Sequence, residues 1–131
     1  MTGSDGRLTV LIAGSDYRPG YTSERTDVIM VVSLDPITHR AAAASIPRDT
    51  VHVPIALANG GGNSGTDRIN TLLWSYNRPS LPTLADRLTV SLGKFRADVA
   101  LTLGVEIDYY AYLRFTGFND LIDAVDGVSL D

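Results

Sequence analysis

Cysteine is absent from this 131-residue chain. That removes disulfides, thiolate metal sites and a cysteine nucleophile. It leaves the compartment open, because proteins outside the cytoplasm also lack cysteine. Lysine is almost absent too: Lys94 stands alone among the basic residues, and the rest are arginine. Arginine is the better planar, bidentate partner for phosphate, although compositional bias gives the same pattern. Histidine occurs only at His39 and His52. No second histidine or cysteine stands at ligand spacing, so both read as surface residues, on a turn and an edge strand. Ser15 and Ser45 lack a histidine partner, which leaves a Ser-His-Asp triad unsupported. No apolar run reaches the ~18 residues of a spanning helix, and the polar start "MTGSDG" is not a signal peptide. The formal net charge of -4 argues against nucleic acid as a partner. It does not exclude a local basic pocket.

What is present describes a globular domain. Hydrophobic residues make up 44% and charged residues 20%, outside the range of disordered chains. The length suits a single domain over residues 1–131 that buries roughly two-thirds of its unfolded surface. Arg7 to Gly14 and Val28 to Leu34 are apolar, β-branched runs that predict two strands. "DPITHR" is a turn, and "AAAASI" before Pro47 predicts the second arm of a hairpin. "TVHVPI" alternates and predicts a short edge strand. "ALANGGGNSGTD" is a glycine-rich loop without the G-K-[ST] ending of a phosphate-cradling loop. "RINTLLWSYN" predicts a helix with Thr66 or Asp67 as N-cap. A longer helical stretch ends at Gly104, with Val99, Leu101 and Leu103 facing inward. "IDYYAYLRF" is a strand with alternating Tyr110 and Tyr112, and "GFNDLIDAVDG" an amphipathic helix. Strands that alternate with helices after an opening hairpin predict an α/β fold, an α-β-α sandwich around a central mixed sheet.

Three segments carry candidate chemistry. "GSDYRPGYTSERTD" holds Asp16 and Arg18, then Arg25 and Asp27, between two apolar strands. If those strands are neighbours, both carboxylates lie at one end of the sheet and repel unless a cation intervenes. Mg2+ accepts one or two carboxylates together with phosphate and water, and the arginines would hold the phosphate. The alternative is a pair of exposed salt bridges worth ~0–1 kcal/mol each. "SIPRDT" places Arg48 and Asp49 after a strand end, where α/β proteins build their sites; the alternative is an ion pair between the two. "DRIN" places Arg68 at a helix N-terminus, whose free N–H groups favour anions; the alternative is a capping segment. Trp74, Tyr76 and Phe118 read as core.

Taken in order, "LIAGSDYR", "RTDVIMVVSLDP", "SIPRDTVHVP", "RIN" and "IDYYAYLRFTGFNDLIDAVDGV" resemble the LytR-CpsA-Psr family of bacterial cell-wall proteins. The resemblance implies a phosphotransferase that moves a glycopolymer, of the teichoic acid or arabinogalactan kind, from a polyprenyl-pyrophosphate carrier to peptidoglycan. It implies Mg2+ or Mn2+ as cofactor and an apolar cavity for the lipid tail. It implies a domain outside the cytoplasm, anchored to the membrane through a segment absent here. Carried over by motif, Asp16 and Asp27 match the metal-associated aspartates. Arg25, Arg48 and Arg68 match pyrophosphate contacts, and Arg18 lies in the same loop. Asp16, Asp27, Arg25 and Arg48 are the expected catalytic set. Arg68 stands where the family more often has lysine, which keeps charge but not geometry.

The family pattern continues past a double glycine, here "VDGV", into a region with an R-x-R motif and an arginine–glutamine segment. The chain ends at Asp131, so a C-terminally truncated domain is expected. A module that binds polyprenyl phosphate without turnover, and a pyrophosphatase that uses water as acceptor, are the competing expectations. Turnover and its acceptor dependence separate the three.

Overall fold

The computed structural model describes residues 2–16 and 25–114. Strand β1 (Leu8–Ser15) pairs antiparallel with β2 (Thr26–Asp35), which pairs antiparallel with β3 (Arg40–Ser45). β4 (Tyr109–Arg114) joins the other side of β1 in parallel, giving a mixed sheet of order β3-β2-β1-β4. The hairpin turn between β2 and β3 is held by Asp35, whose Oδ1 accepts the N–H groups of Ile37 and Thr38 at 2.9 and 3.3 Å. Those two hydrogen bonds hold the Asp35 carboxyl below its usual range. β4 starts in register because Asp108 and Thr9 exchange bonds. Thr9 N–H donates to Asp108 Oδ2, and Asp108 N–H to Thr9 O, both at 2.9 Å.

Helices α1 (Ile69–Ser75) and α2 (Leu84–Leu103) cover one face of the sheet. The core lies between: Leu11, Ala13, Ile29 and Val31 from the sheet meet Ile69, Leu73, Leu92, Phe95 and Val99 from the helices. On α2 the buried positions are 91, 92, 95, 98 and 99, the spacing of one face of a 3.6-residue helix. Thr83 caps it by accepting the Asp86 N–H, and Gly104 ends it in the left-handed region at φ 66°. Leu101 corrects the expectation that it faces inward: it is 52% exposed. Two residues beyond Val99 is just over half a turn away on a helix, although it would be the same face of a strand.

The α/β class and the mixed sheet are as expected. The amphipathic helix predicted from "GFNDLIDAVDG" lies outside the described residues. "TVHVPI" is not a strand. His52 sits at φ 54°, Pro54 has no N–H, and only an isolated bridge links Pro54 to Asn63. The facing glycine-rich chain curls through positive φ at Gly60, Gly61, Gly62 and Gly65, so no ladder can extend. The two segments still exchange bonds, from His52 N–H to Gly65 O at 2.7 Å and from Ser64 N–H to Val53 O at 2.9 Å.

The glycine-rich loop is docked by a fully buried acid on α2. Asp98 Oδ1 accepts the Ala56 N–H at 2.8 Å and the Asn59 side-chain N–H at 2.9 Å, and Oδ2 accepts the Tyr76 hydroxyl. Burial, then the Asp98 bond, pushes the Tyr76 phenol above its usual range. Tyr76 was expected as core, and its ring does pack against the core. Its hydroxyl is satisfied as a buried phenol requires.

Candidate functional site

The candidate acids and bases gather at one end of the sheet, where β1 leaves and β2 enters. The register of that pair shifts at its last step: Gly14 faces Val28, but Ser15 faces Thr26. Asp27 is therefore the extra residue of a β-bulge, a device that re-aims a side chain at a strand end. Its side chain is 16% exposed. Its Oδ1 is buried and makes no hydrogen bond. Among the described residues its ion-pair partner is Arg48, with Nη1 at 3.5 Å, longer than a hydrogen bond.

Asp16 closes the neck of the same loop. Its N–H donates to Arg25 O at 3.1 Å, and its Oδ1 accepts the Arg25 N–H at 2.7 Å. The Arg25 side chain is exposed. Arg18 lies outside the described residues.

The "SIPRDT" segment forms a turn held by Thr50, whose N–H and hydroxyl both donate to Pro47 O, at 3.1 and 2.7 Å. The turn is stapled to the start of α1. Ile69 N–H donates to Thr50 O at 2.8 Å, and Asn70 N–H to Arg48 O at 3.2 Å. This corrects two expectations. Neither Thr66 nor Asp67 is the N-cap; Arg68 is, with no side-chain cap bond. The first helical N–H groups are also not free for an anion, because backbone carbonyls of the turn already accept them. What this end of α1 contributes is the position of Arg68, directly beside the turn.

The ion pairs are crossed relative to the local alternative. Arg48 does not pair with its neighbour Asp49. It pairs with Asp27, and Asp49 pairs with Arg68 at 3.4 Å. Arg48 and Arg68 keep side-chain exposures of 57% and 61%, so both guanidinium groups have donors facing water. Asn70, inside "RIN", was not singled out from the sequence. It is buried, and its Oδ1 has no hydrogen-bond partner. Nothing in the local pattern distinguishes it from an ordinary helical asparagine.

The donor set bears on a divalent cation. Among the described residues, no group of three or more His, Cys, Asp or Glu side chains gathers. Two carboxylates at neighbouring strand ends remain, one with a buried oxygen lacking a hydrogen-bond donor. Hard oxygen ligands, few in number, leave coordination positions for phosphate and water, which fits Mg2+ and not a closed all-protein cage. Asp27 Oδ1 is the atom best placed to ligate.

These features define an α/β domain with an acid–arginine cluster at one end of a mixed sheet. The LytR_cpsA_psr family pattern matches residues 1–131. The chain belongs to the LytR-CpsA-Psr family. It is 30% identical, over 95% of its length, to the polyisoprenyl-teichoic acid–peptidoglycan teichoic acid transferase TagU of Bacillus mycoides strain KBAB4, and covers 34% of that protein. It is 30% identical over 98% of its length to the regulatory protein MsrR of Staphylococcus aureus strain COL, covering 33% of it. The chain thus spans about a third of the length of the curated relatives it matches. In structure it is similar to Bacillus subtilis TagV, with TM-score 0.68 and 26% identity over 98% of this chain and 44% of that one. It shares its fold with TagT, solved with octaprenyl pyrophosphate bound, at TM-score 0.63 and 19% identity over 100% of this chain and 45% of that one.

Proposed function

We propose that this domain takes part in transferring a glycopolymer from a polyprenyl-pyrophosphate carrier to a peptidoglycan hydroxyl. The observation that carries the reading is Asp27 at the bulge, with a buried oxygen lacking a hydrogen bond, held against a half-exposed Arg48. The activity in the name of TagU, together with family membership, supports the same reaction class.

In this reading Arg25, Arg48 and Arg68 bind the pyrophosphate oxygens, and Arg18 of the same loop joins them. Asp16 and Asp27 hold Mg2+ or Mn2+, which when bound neutralises phosphate charge and stabilises the charge of the transition state. The acceptor hydroxyl oxygen forms the new bond to phosphorus. The phosphoanhydride bond breaks, polyprenyl phosphate leaves with the electron pair, and the hydroxyl proton passes to a carboxylate of the pair. Arg48 couples the two halves of the site, since it faces Asp27 now and turns donors toward the pyrophosphate when that ligand arrives. The setting is the outer face of the cell membrane, in a protein anchored there. Among the described residues no helix is long and apolar enough to cross a membrane.

The reading is tested by incubating the protein with a lipid-pyrophosphate glycan, Mg2+ and peptidoglycan, and quantifying polyprenyl phosphate. Release that requires the acceptor supports transfer. Binding without release identifies a lipid-binding module, and release without acceptor identifies a pyrophosphatase. A second prediction concerns Arg48 alone. Arg48→Ala should weaken lipid-pyrophosphate binding about tenfold or more, the usual loss for a charge-assisted contact. Isothermal titration with the variant measures it, and wild-type affinity would remove Arg48 from the site.

A further inference from the structure

One arginine of α2 has no counterpart in the cluster described above. Arg87 lines a narrow pocket between α1, α2 and the sheet, together with Leu73, Trp74, Leu84, Leu88 and Thr26. Its Nε is buried without a hydrogen-bond partner. Among the described residues no carboxylate lies within ion-pair distance of it. By contrast Arg7, Arg48 and Arg68 each face an aspartate, and Arg96 donates to Asp108 O. A partly buried guanidinium with no counter-charge is costly, and the fold keeps one here in mostly apolar surroundings.

Its placement indicates what it would meet. Thr26 is the residue before Asp27, so the pocket lies directly against the strand end that carries the acid–arginine cluster. The pocket volume is about 20 Å³, room for one water or one phosphate oxygen and not for a whole headgroup. A single cation set among leucines and a tryptophan complements an amphiphile whose anionic group adjoins a hydrocarbon chain. A free polyanion would gain nothing from the apolar lining.

We propose that Arg87 is a lipid-phosphate-binding residue, contacting an oxygen of an isoprenyl phosphate where the hydrocarbon part of that ligand begins. The inference rests on the reading that the domain handles polyprenyl pyrophosphate. It adds to that reading an arginine from α2, reached from inside the helical layer, whereas Arg25, Arg48 and Arg68 stand at the strand ends and turn.

The test compares wild type, Arg87→Met, Arg87→Lys and Arg48→Ala. Each is titrated with geranyl pyrophosphate, a soluble short-chain probe, and with inorganic pyrophosphate. Melting temperatures are measured without ligand. Arg87→Met keeps the side-chain length and removes the charge. It should leave the melting temperature unchanged or raised, because an unpaired cation is relieved, and weaken geranyl pyrophosphate about tenfold. Arg87→Lys should retain part of the affinity. Wild-type affinity for geranyl pyrophosphate in Arg87→Met overturns the proposal and assigns the pocket to a bound water. So does a loss confined to inorganic pyrophosphate, or a lower melting temperature with unchanged affinity. If wild type binds geranyl pyrophosphate and Arg48→Ala weakens it while Arg87→Met does not, only this inference fails. If wild type does not bind the probe, the function proposed above fails with it.

Discussion

Asp27→Ala is expected to lower the rate of glycopolymer transfer about 100-fold or more, the scale of losing one preorganised electrostatic element of a transition state. The same variant should flatten the dependence of rate on Mg2+. The reason lies in the bulge at the end of β2. It gives Asp27 a buried oxygen that no hydrogen-bond donor satisfies. Such an atom is costly to keep, and in the proposed function a cation that arrives with the substrate would compensate it. Asp27→Asn separates charge from shape, since it preserves volume while removing the anion. Both variants release Arg48 from its 3.5 Å partner. Lipid-pyrophosphate affinity without metal should therefore stay at wild-type level or improve, while turnover collapses. Initial rates of polyprenyl phosphate release over a Mg2+ titration, paired with metal-free binding, measure both. A variant with wild-type rate and wild-type metal dependence would show that Asp27 is only a structural partner of Arg48.

Asp98→Ala is expected to destabilise the fold by about 2–4 kcal/mol, because it removes the acceptor of three part-buried donors at once. Those donors are the Ala56 N–H, the Asn59 amide and the Tyr76 hydroxyl. The loss falls on the glycine-rich loop, whose other ties are the bonds to residues 52–55 and one from the Asn59 amide to Lys94 O. Leu57 at its start is almost fully exposed, and its glycines bury no side chain. That loop in turn bonds to residues 52–55, which follow directly on the Arg48 turn. Chemical denaturation measures the cost. Tyr76 gives a local readout. Its phenol is pushed up by burial and then by Asp98, so in Asp98→Ala it should ionise at lower pH than in the wild type, as followed by its ultraviolet absorbance. A raised phenol pKa stabilises the fold at every pH below the unfolded value near ~10 and stops doing so as pH rises through the folded value. The variant should thus lose its deficit partly in alkali. A denaturation midpoint equal to wild type at neutral pH would show that water replaces the acid without cost.

Much of this was legible from local pattern. The runs "LTVLIAG" and "VIMVVSL" pair as neighbours, "AAAAS" completes the hairpin, and the tyrosines of β4 alternate as a half-buried strand does. These depend on side-chain period and turn chemistry, which a short window contains. "TVHVPI" has the right period and still fails as a strand, because a strand needs a partner ladder and its partner is a chain of glycines in positive φ. The cap of α1 failed for a similar reason. Thr66 and Asp67 have the right chemistry, but the N–H groups were taken by carbonyls of a turn some twenty residues earlier.

The sequence by itself determined the class of fold, the family, and which acids and arginines are available to the site. It did so because composition, period and motif order are properties of the chain alone. Tertiary structure decided which arginine faces which acid, since Arg48 passes over its neighbour Asp49 to reach Asp27, and Arg68 takes Asp49. It also decided that Asp27 sits on a bulge, that Asp98 is buried as a loop anchor, and that Arg87 has no carboxylate beside it among the described residues. Each of these depends on segments far apart in the chain being brought into one register, and an ion pair or a desolvation cost exists only once that packing has formed.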